Sequence, residues 1–344
     1  VGGTGFNRGS LYFGTFTQNG NADVNLTFTG TAALYFANNS VFGGNITTNT
    51  PSLYFNGATF NGTVHSEKTG ASANTNTGGN TFNQEVTIIN SGSGNLTLAN
   101  TSPDIFNDNV IFTNTGTQII YPAYNSPGNQ FNGDIIVNST GSSVGISFCG
   151  GSSGSATIAT GKKIQIGGSG FTSGYLILPR ITQLGNAPIN LNLAASASYI
   201  QFGPNSSFGG NVTANAPGIN LNGTTFSGTV DITKTGSSSN TGSGGNTFNN
   251  TTTFTNSGTG YLGTGWTNPD IFNGDLYLTN SGSSYIYLAY SHSALTPTQF
   301  NGNVTFNSTG SSTGILIGWS TGTATLANTK VIQIGGSGFT SGIL

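Results

Sequence analysis

The stretch NPDIFNGDLYLTNSGSSYIYLAY, Asn268 to Tyr290, decides the fold. It opens with Phe-Asn-Gly and continues as a strand with apolar residues two apart (Leu276, Leu278). An Asn-Ser-Gly-Ser turn follows, and then a second strand with Ile286 and Leu288 on one side. Most of the chain is a variation on this unit. Phe-Asn-Gly or a close relative begins at Phe42, Phe60, Phe82, Phe106 and Phe131, and again at Phe208, Phe226, Phe248, Phe272 and Phe300. Successive steps in the first set are 18, 22, 24 and 25 residues. A unit that short cannot bury its own apolar face and must stack on copies of itself. The expected fold is therefore all-β: a right-handed parallel β-helix (β-solenoid) of roughly 14–15 coils. The ten phenylalanines would form a ladder in its interior.

A longer period lies over the short one. VGGTGFNRGSLYF (1–13) returns as IGGSGFTSGYLIL (166–178) and as IGGSGFTSGIL (334–344). Phe42 and Phe208, Phe60 and Phe226, Phe82 and Phe248, and Phe106 and Phe272 are each 166 residues apart. Phe131 and Phe300 are 169 apart, which places an insertion of about three residues in the loop before Phe300, a change solenoids tolerate. The organisation expected is one continuous solenoid: long repeat 1 over 1–165, long repeat 2 over 166–333, and the start of a third over 334–344. With strands about 4.8 Å apart and about seven coils per repeat, each repeat should advance roughly 34 Å. The return to the opening phrase also suggests a window of a longer array.

Alternation within a coil is clean. Val86 and Ile88, Val110 and Phe112, and Ile135 and Val137 should point inward, while Thr87, Ile111, Ile136, Tyr277 and Thr305 should face out. Asn and Gly at the corner suit left-handed backbone angles, and stacked Asn side chains can hydrogen-bond along the axis. The segments 66–80 and 233–246 lack a second apolar strand and read as polar loops on shortened coils.

Composition narrows the function classes. Charged residues are only 5% of 344 and the formal net charge is −2, so no electrostatic footprint for nucleic acid exists. A single cysteine, Cys149, excludes an internal disulfide and a cysteine-based metal site; its counterpart in the second repeat is Gly318. No apolar run approaches the ~20 residues of a membrane-spanning helix.

FNGDLYLTNSGSSYIYLAYS, FNGNVTFNSTGSSTGI, TATLANTKVIQIGGSGF and the SPDIFN/NPDIFN phrase together resemble the giant Asn/Gly/Thr-rich repeat proteins of the Bacteroidota cell surface. The resemblance covers essentially the whole chain. It implies an extracellular place on a bacterial surface and a structural or adhesive role as filament or adhesin shaft. It supplies no catalytic residue.

Candidate chemistry can be weighed by comparing the two repeats. Glu85 and Asp134 each stand three residues after a ladder Phe and would lie roughly 9.6 Å apart on one edge, near the upper limit for an inverting glycosidase pair. Their counterparts are Thr251 and Asn303, which favours solvated edge residues over catalysis. Asp104 and Asp270 do recur; each is either one calcium ligand or an Asx turn that aims Ile and Phe inward. His65 and His292 have no partner residues in sequence from which a catalytic or metal constellation could be assembled. No metal or cofactor is expected. Tyr121, Tyr124, Trp266, Tyr287, Tyr290 and Trp319 fall on or beside second strands, as candidates for glycan stacking, for packing against a neighbouring filament, or for edge cover. The reading is a structural repeat segment with no catalysis, partnered end to end by further copies of itself. The alternatives are a glycan-binding or polysaccharide-degrading β-helix protein and an ice-binding solenoid, the last motivated by Thr-rich strands such as TTTFTNS.

Overall fold

Strands of five residues with apolar side chains at alternate positions cannot shield both faces, and here they close the exposed edge by pairing with the next coil in parallel. The computed structural model describes residues 5–291 and 296–344, which are strand, turn and loop with no helix. The fold is a parallel β-solenoid. The chain divides into two units, Val1–Leu176 with Arg180–Leu184, and Ile177–Pro179 with Gly185–Leu344.

Each unit contributes seven strands to a long-strand sheet. In the first unit these run from Val24–Thr27 and Ile46–Thr50 through Val64–Lys68 and Val86–Asn90 to Ile164–Phe171; in the second, from Ile189–Asn192 to Ile332–Phe339. Pairing is in register, coil after coil: Val64, Val86, Val110 and Ile135 are successive partners, as are Val230, Thr252, Leu276 and Val304. A shorter sheet carries the phenylalanines, and a third sheet, interrupted in its hydrogen bonding, closes the coil: Ser10–Phe13, Ala33–Phe36 and Ser52–Phe55 form a separate three-stranded piece, and in the next piece Leu96–Thr97 lies beside Ile120–Tyr121.

Register in the short sheet stacks ring on ring. In the first unit the centroids of Phe42, Phe60, Phe82, Phe106 and Phe131 follow one another at 5.4, 5.0, 4.9 and 5.1 Å, with planes within 10°. In the second, Phe208, Phe226, Phe248, Phe272 and Phe300 follow at 5.9, 5.2, 4.7 and 5.5 Å. Such pairs contribute about 0.5–1.5 kcal/mol each beyond burial. A second ladder, Phe13, Phe36 and Phe55, runs on the third sheet at 5.9 and 5.5 Å and meets the first edge to face.

The corner after each ladder Phe works differently from the sequence expectation. The glycines of Phe-Asn-Gly are absent from the left-handed region; they are needed for close approach. A Cβ on Gly62 would lie 2.5 Å from the Gly44 carbonyl, and one on Gly302 2.2 Å from Gly274 O. Left-handed residues sit instead at the end of the third-sheet strands, at Ala99, Ala123 and Cys149, and at Gly265, Ala289 and Gly318. That is why glycine can replace Cys149 in the second repeat. Outside, the corner asparagines form an amide ladder: Asn83 donates to Asn61, Asn107 to Asn83 and Asn132 to Asn107, at 2.8, 2.8 and 2.9 Å. Thr305, expected outside, is buried.

Segment 66–80 is a full coil with a polar interior. Asn74–Thr75 forms a third-sheet strand beside Leu96–Thr97, and Ser66, Lys68, Asn74, Asn76 and Asn80 are all buried. Short amides take over where apolar strands are missing: Asn74 Oδ1 accepts the Leu53 N–H, and Asn76 Oδ1 that of Phe55. The same coil in the second unit, with Asn240–Thr241 as its strand, buries Lys234, Asn240 and Asn246.

Candidate functional site

Four groups of side chains were candidates for chemistry, and the coil register places each. The first is the buried lysine. At the last inward position of the long strands the first unit stacks Thr50, Lys68, Asn90, Asn114 and Ser139; the second stacks Ala216, Lys234, Asn256, Asn280 and Ser308. Lys68 Nζ donates to Gly70 O (2.7 Å) and Gly94 O (3.1 Å), and Lys234 Nζ to Gly236 O (2.7 Å) and Gly260 O (3.0 Å). Both side chains are fully buried, and desolvation pushes each ammonium down to about 8. Sequence reasoning singled out neither lysine; the signal available was that Lys68 and Lys234 are 166 residues apart, the same step as the ladder rings.

The second group is built on Asp104 and Asp270. Asp104 Oδ1 accepts from Asn80 N–H (2.9 Å) and Asn80 Nδ2 (2.8 Å), and Asp104 N–H donates to Asn129 Oδ1 (2.8 Å). Asn80 Oδ1 in turn accepts the N–H groups of Gly57 and Ala58, both at 3.0 Å. Asp270 repeats this with Asn246 and adds a bond from Thr264 Oγ1 at 2.6 Å. Burial pushes the Asp104 carboxyl up to about 7, against the pull of its amide donors. The arrangement ties one coil to the next. It does not turn two side chains inward, since Phe106 is buried but Ile105 is only half-buried. Among the described residues no three His, Cys, Asp or Glu side chains gather as a metal site.

Glu85 and Asp134 share a column two coils apart, with Asn109 between them. Asn109 Oδ1 accepts the Asp134 N–H (2.9 Å), and Asp134 Oδ1 accepts the Lys163 N–H (3.1 Å). Asp134 is thus occupied in holding backbone. His65 is exposed on the long-strand sheet, between Thr47 and Thr87; His292 lies outside the described residues.

The aromatic residues form two separate clusters, one in each unit. Tyr121 and Tyr124 meet edge to face at 5.3 Å. In the second unit Tyr261, Trp266 and Tyr290 stack in parallel at 5.9 and 3.6 Å, and Tyr287 meets all three edge to face. Tyr285 adds a tilted contact with Tyr287 at 5.2 Å. Trp266 thus lies flat against Tyr290 and parallel to Tyr261. Trp319 stands 53% exposed. Tyr261 and Tyr285 were not singled out; their counterparts, Asn95 and Ile119, are not aromatic, although neither are Asn100 and Gly150, the counterparts of Trp266 and Trp319. A further row, Tyr12, Tyr35 and Tyr54, stacks on the outer face of the third sheet at 5.4 and 4.3 Å. No helix is long and apolar enough to cross a membrane, which says nothing of a β-barrel. Set against known proteins, the chain matches no family model, no curated protein and no solved structure.

Proposed function

We propose that this chain is a structural repeat segment of an extracellular bacterial surface fibre or adhesin shaft, working without catalysis, as in the Bacteroidota repeat proteins it resembles. The observation that carries the reading is the parallel pairing within each unit, which repeats over seven long strands, with a register shift only onto the seventh, and sets the ladder phenylalanines ring over ring. The same columns carry backbone bonds, ring stacks and amide ladders, so load along the coil axis is shared by many equivalent contacts. The residues with chemistry to offer are spent on this cohesion: Asp104, Asp134, Lys68 and Lys234 all hold backbone groups or amides that do. Two of the seven basic residues are fully buried, which leaves few sites for trypsin-like proteases outside a cell.

The rival readings find less support. Stacking on sugar rings needs a free aromatic face; Trp266 is stacked on Tyr290, whereas the exposed Trp319 keeps a ring open to such a contact. An ice-binding surface needs an unbroken Thr row, and the outward column reads Thr47, His65, Thr87, Ile111, Ile136. Negative-stain electron microscopy of the native material tests the proposal. Thin unbranched fibres are expected; isolated particles, or turnover of a polysaccharide by the purified chain, would overturn it.

A further inference from the structure

Tyr35 and Tyr54 are register partners on adjacent third-sheet strands, Ala33–Phe36 and Ser52–Phe55. Alternation sends Phe36 and Phe55 into the core and turns the tyrosines beside them outward, where both are partly exposed. Their rings lie 4.3 Å apart with planes 4° from parallel, the closest tyrosine pair among the described residues. Other tyrosine contacts are wider and inclined: Tyr121 and Tyr124 at 5.3 Å and 65°, Tyr287 and Tyr290 at 5.2 Å and 85°. Asn74 Nδ2 donates to the Tyr54 hydroxyl at 3.0 Å and holds that ring from the next coil. Burial, and then the neighbouring Tyr54 phenol, push the Tyr35 hydroxyl above the usual phenol range, so the two oxygens stand on the same side of the stack. Rings stacked in parallel with their hydroxyls together also bring the carbons ortho to those hydroxyls face to face.

The sulfur groups that usually intercept oxidants are absent or screened. The chain has no methionine, and its one cysteine is buried, with burial pushing the thiol up to about 12. We propose that Tyr35 and Tyr54 are a covalent cross-linking site, joined as dityrosine when a peroxidase and hydrogen peroxide act on the folded chain. Each phenol gives up one electron and its hydroxyl proton, leaving two tyrosyl radicals; hydrogen peroxide takes up both electrons and both protons and leaves as two waters. The radicals join through one ortho carbon of each ring. Both carbons then release their hydrogens, and the two oxygens regain protons as the rings become aromatic again. The pair ends two hydrogens lighter, with one new carbon–carbon bond between adjacent coils. The second repeat has Gln201 and Asn220 at the same paired position, so the site belongs to one repeat. The link ties two coils on their outer face whether or not the chain serves as a shaft.

The test treats the whole chain, dilute enough that molecules rarely meet, with hydrogen peroxide and a haem peroxidase. Unfolding and trypsin digestion afterwards release residues 9–68, the fragment that holds both tyrosines. That fragment should be two hydrogens lighter and carry dityrosine fluorescence. Tyr35→Phe and Tyr54→Phe, which keep the stacked rings, should each abolish both signals, whereas Tyr12→Phe should leave them unchanged. The linked chain should also need more urea to unfold, because the closed loop restricts the unfolded state. An unlinked 9–68 fragment, a signal that survives Tyr35→Phe, an equal yield from chain oxidised in urea, or dityrosine found only in dimers of the chain would each overturn the site.

Discussion

Replacing Lys68 with methionine should stabilise the first unit at neutral pH, although it removes two hydrogen bonds. The magnitude follows from what the ammonium loses and what its partners keep. Burial lowers Lys68 from 10.5 to about 8, which at about 1.4 kcal/mol per unit is a penalty on the order of 3–4 kcal/mol. After substitution Gly94 O still accepts from Asn90 Nδ2 (3.1 Å) and Gly70 O from the Gly94 N–H (3.3 Å). Neither carbonyl is orphaned, so the offsetting loss stays near about 1 kcal/mol, and a net gain of about 2–3 kcal/mol is expected. Lys234→Met should gain less, because Gly260 O has no corresponding second donor from Asn256, whose Nδ2 turns to Asn280 and Tyr285. The pH dependence has a defined sign. Below about pH 8 the lysine is charged folded and unfolded, and the whole penalty is present. Between about pH 8 and 10.5 the folded lysine releases its proton while the unfolded one keeps it, so the stability of the parent rises with pH through that window. Urea unfolding, with native-state hydrogen exchange of the amides of Val64–Asn90, reads both effects. A Lys68→Met protein less stable than the parent at neutral pH, or a parent with no rise above pH 8, would refute the reasoning.

Asp104→Asn should act in the opposite pH range. The folded carboxyl is raised from 3.8 to about 7, so its contribution to stability falls as pH rises through that interval, and unfolding midpoints of the variant should lose this decline. Phe82→Ala removes the ring at the centre of the first ladder, stacked at 5.0 and 4.9 Å on Phe60 and Phe106, and should cost about 3–5 kcal/mol; Tyr277→Ala, 39% exposed, should stay within about 0.5 kcal/mol in the same denaturation assay. Gly116→Ala would set a Cβ 2.0 Å from Gly92 O. The coils must part there, and the amides of Val110–Asn114 should lose exchange protection relative to a Gly128→Ala control, whose Cβ meets nothing but whose φ of 84° carries its own strain.

The coil was legible because one bulky residue followed by Asn-Gly recurs at a spacing that only stacking can satisfy, and because apolar residues two apart mark which face turns inward. The ladder of Phe13, Phe36 and Phe55 was not recognised: no Asn-Gly follows Phe13 or Phe36, Phe55-Asn56-Gly57 lies only five residues before Phe60, and all three rings sit on a different sheet from the others. The polar coils were misread as loops because hydrophobic alternation cannot report a strand whose inward positions are Ser66, Lys68, Asn74 and Asn76. Their burial depends on amides and an ammonium finding backbone carbonyls and N–H groups one coil away, a match that only the three-dimensional register supplies. The tyrosine and tryptophan stack of the second unit was half visible. Three of its rings, Tyr261, Trp266 and Tyr285, come from positions where the first repeat carries Asn95, Asn100 and Ile119, so comparison between repeats lent them no support.

The interior lysine also bears on how such a chain finds its order. Coils that share the same rings and the same inward columns are nearly interchangeable partners, and a nascent strand could dock one storey too high or too low with little loss of apolar contact. An ammonium tolerates only the neighbour that brings Gly94 or Gly260 to it; against Val, Ile or Phe it would be stranded without an acceptor. One charged group per unit therefore works as a floor marker, costing stability in the finished stack while penalising assembly out of sequence. Refolding the Lys68→Met, Lys234→Met protein makes this measurable: a higher unfolding midpoint accompanied by a lower yield of correctly paired product.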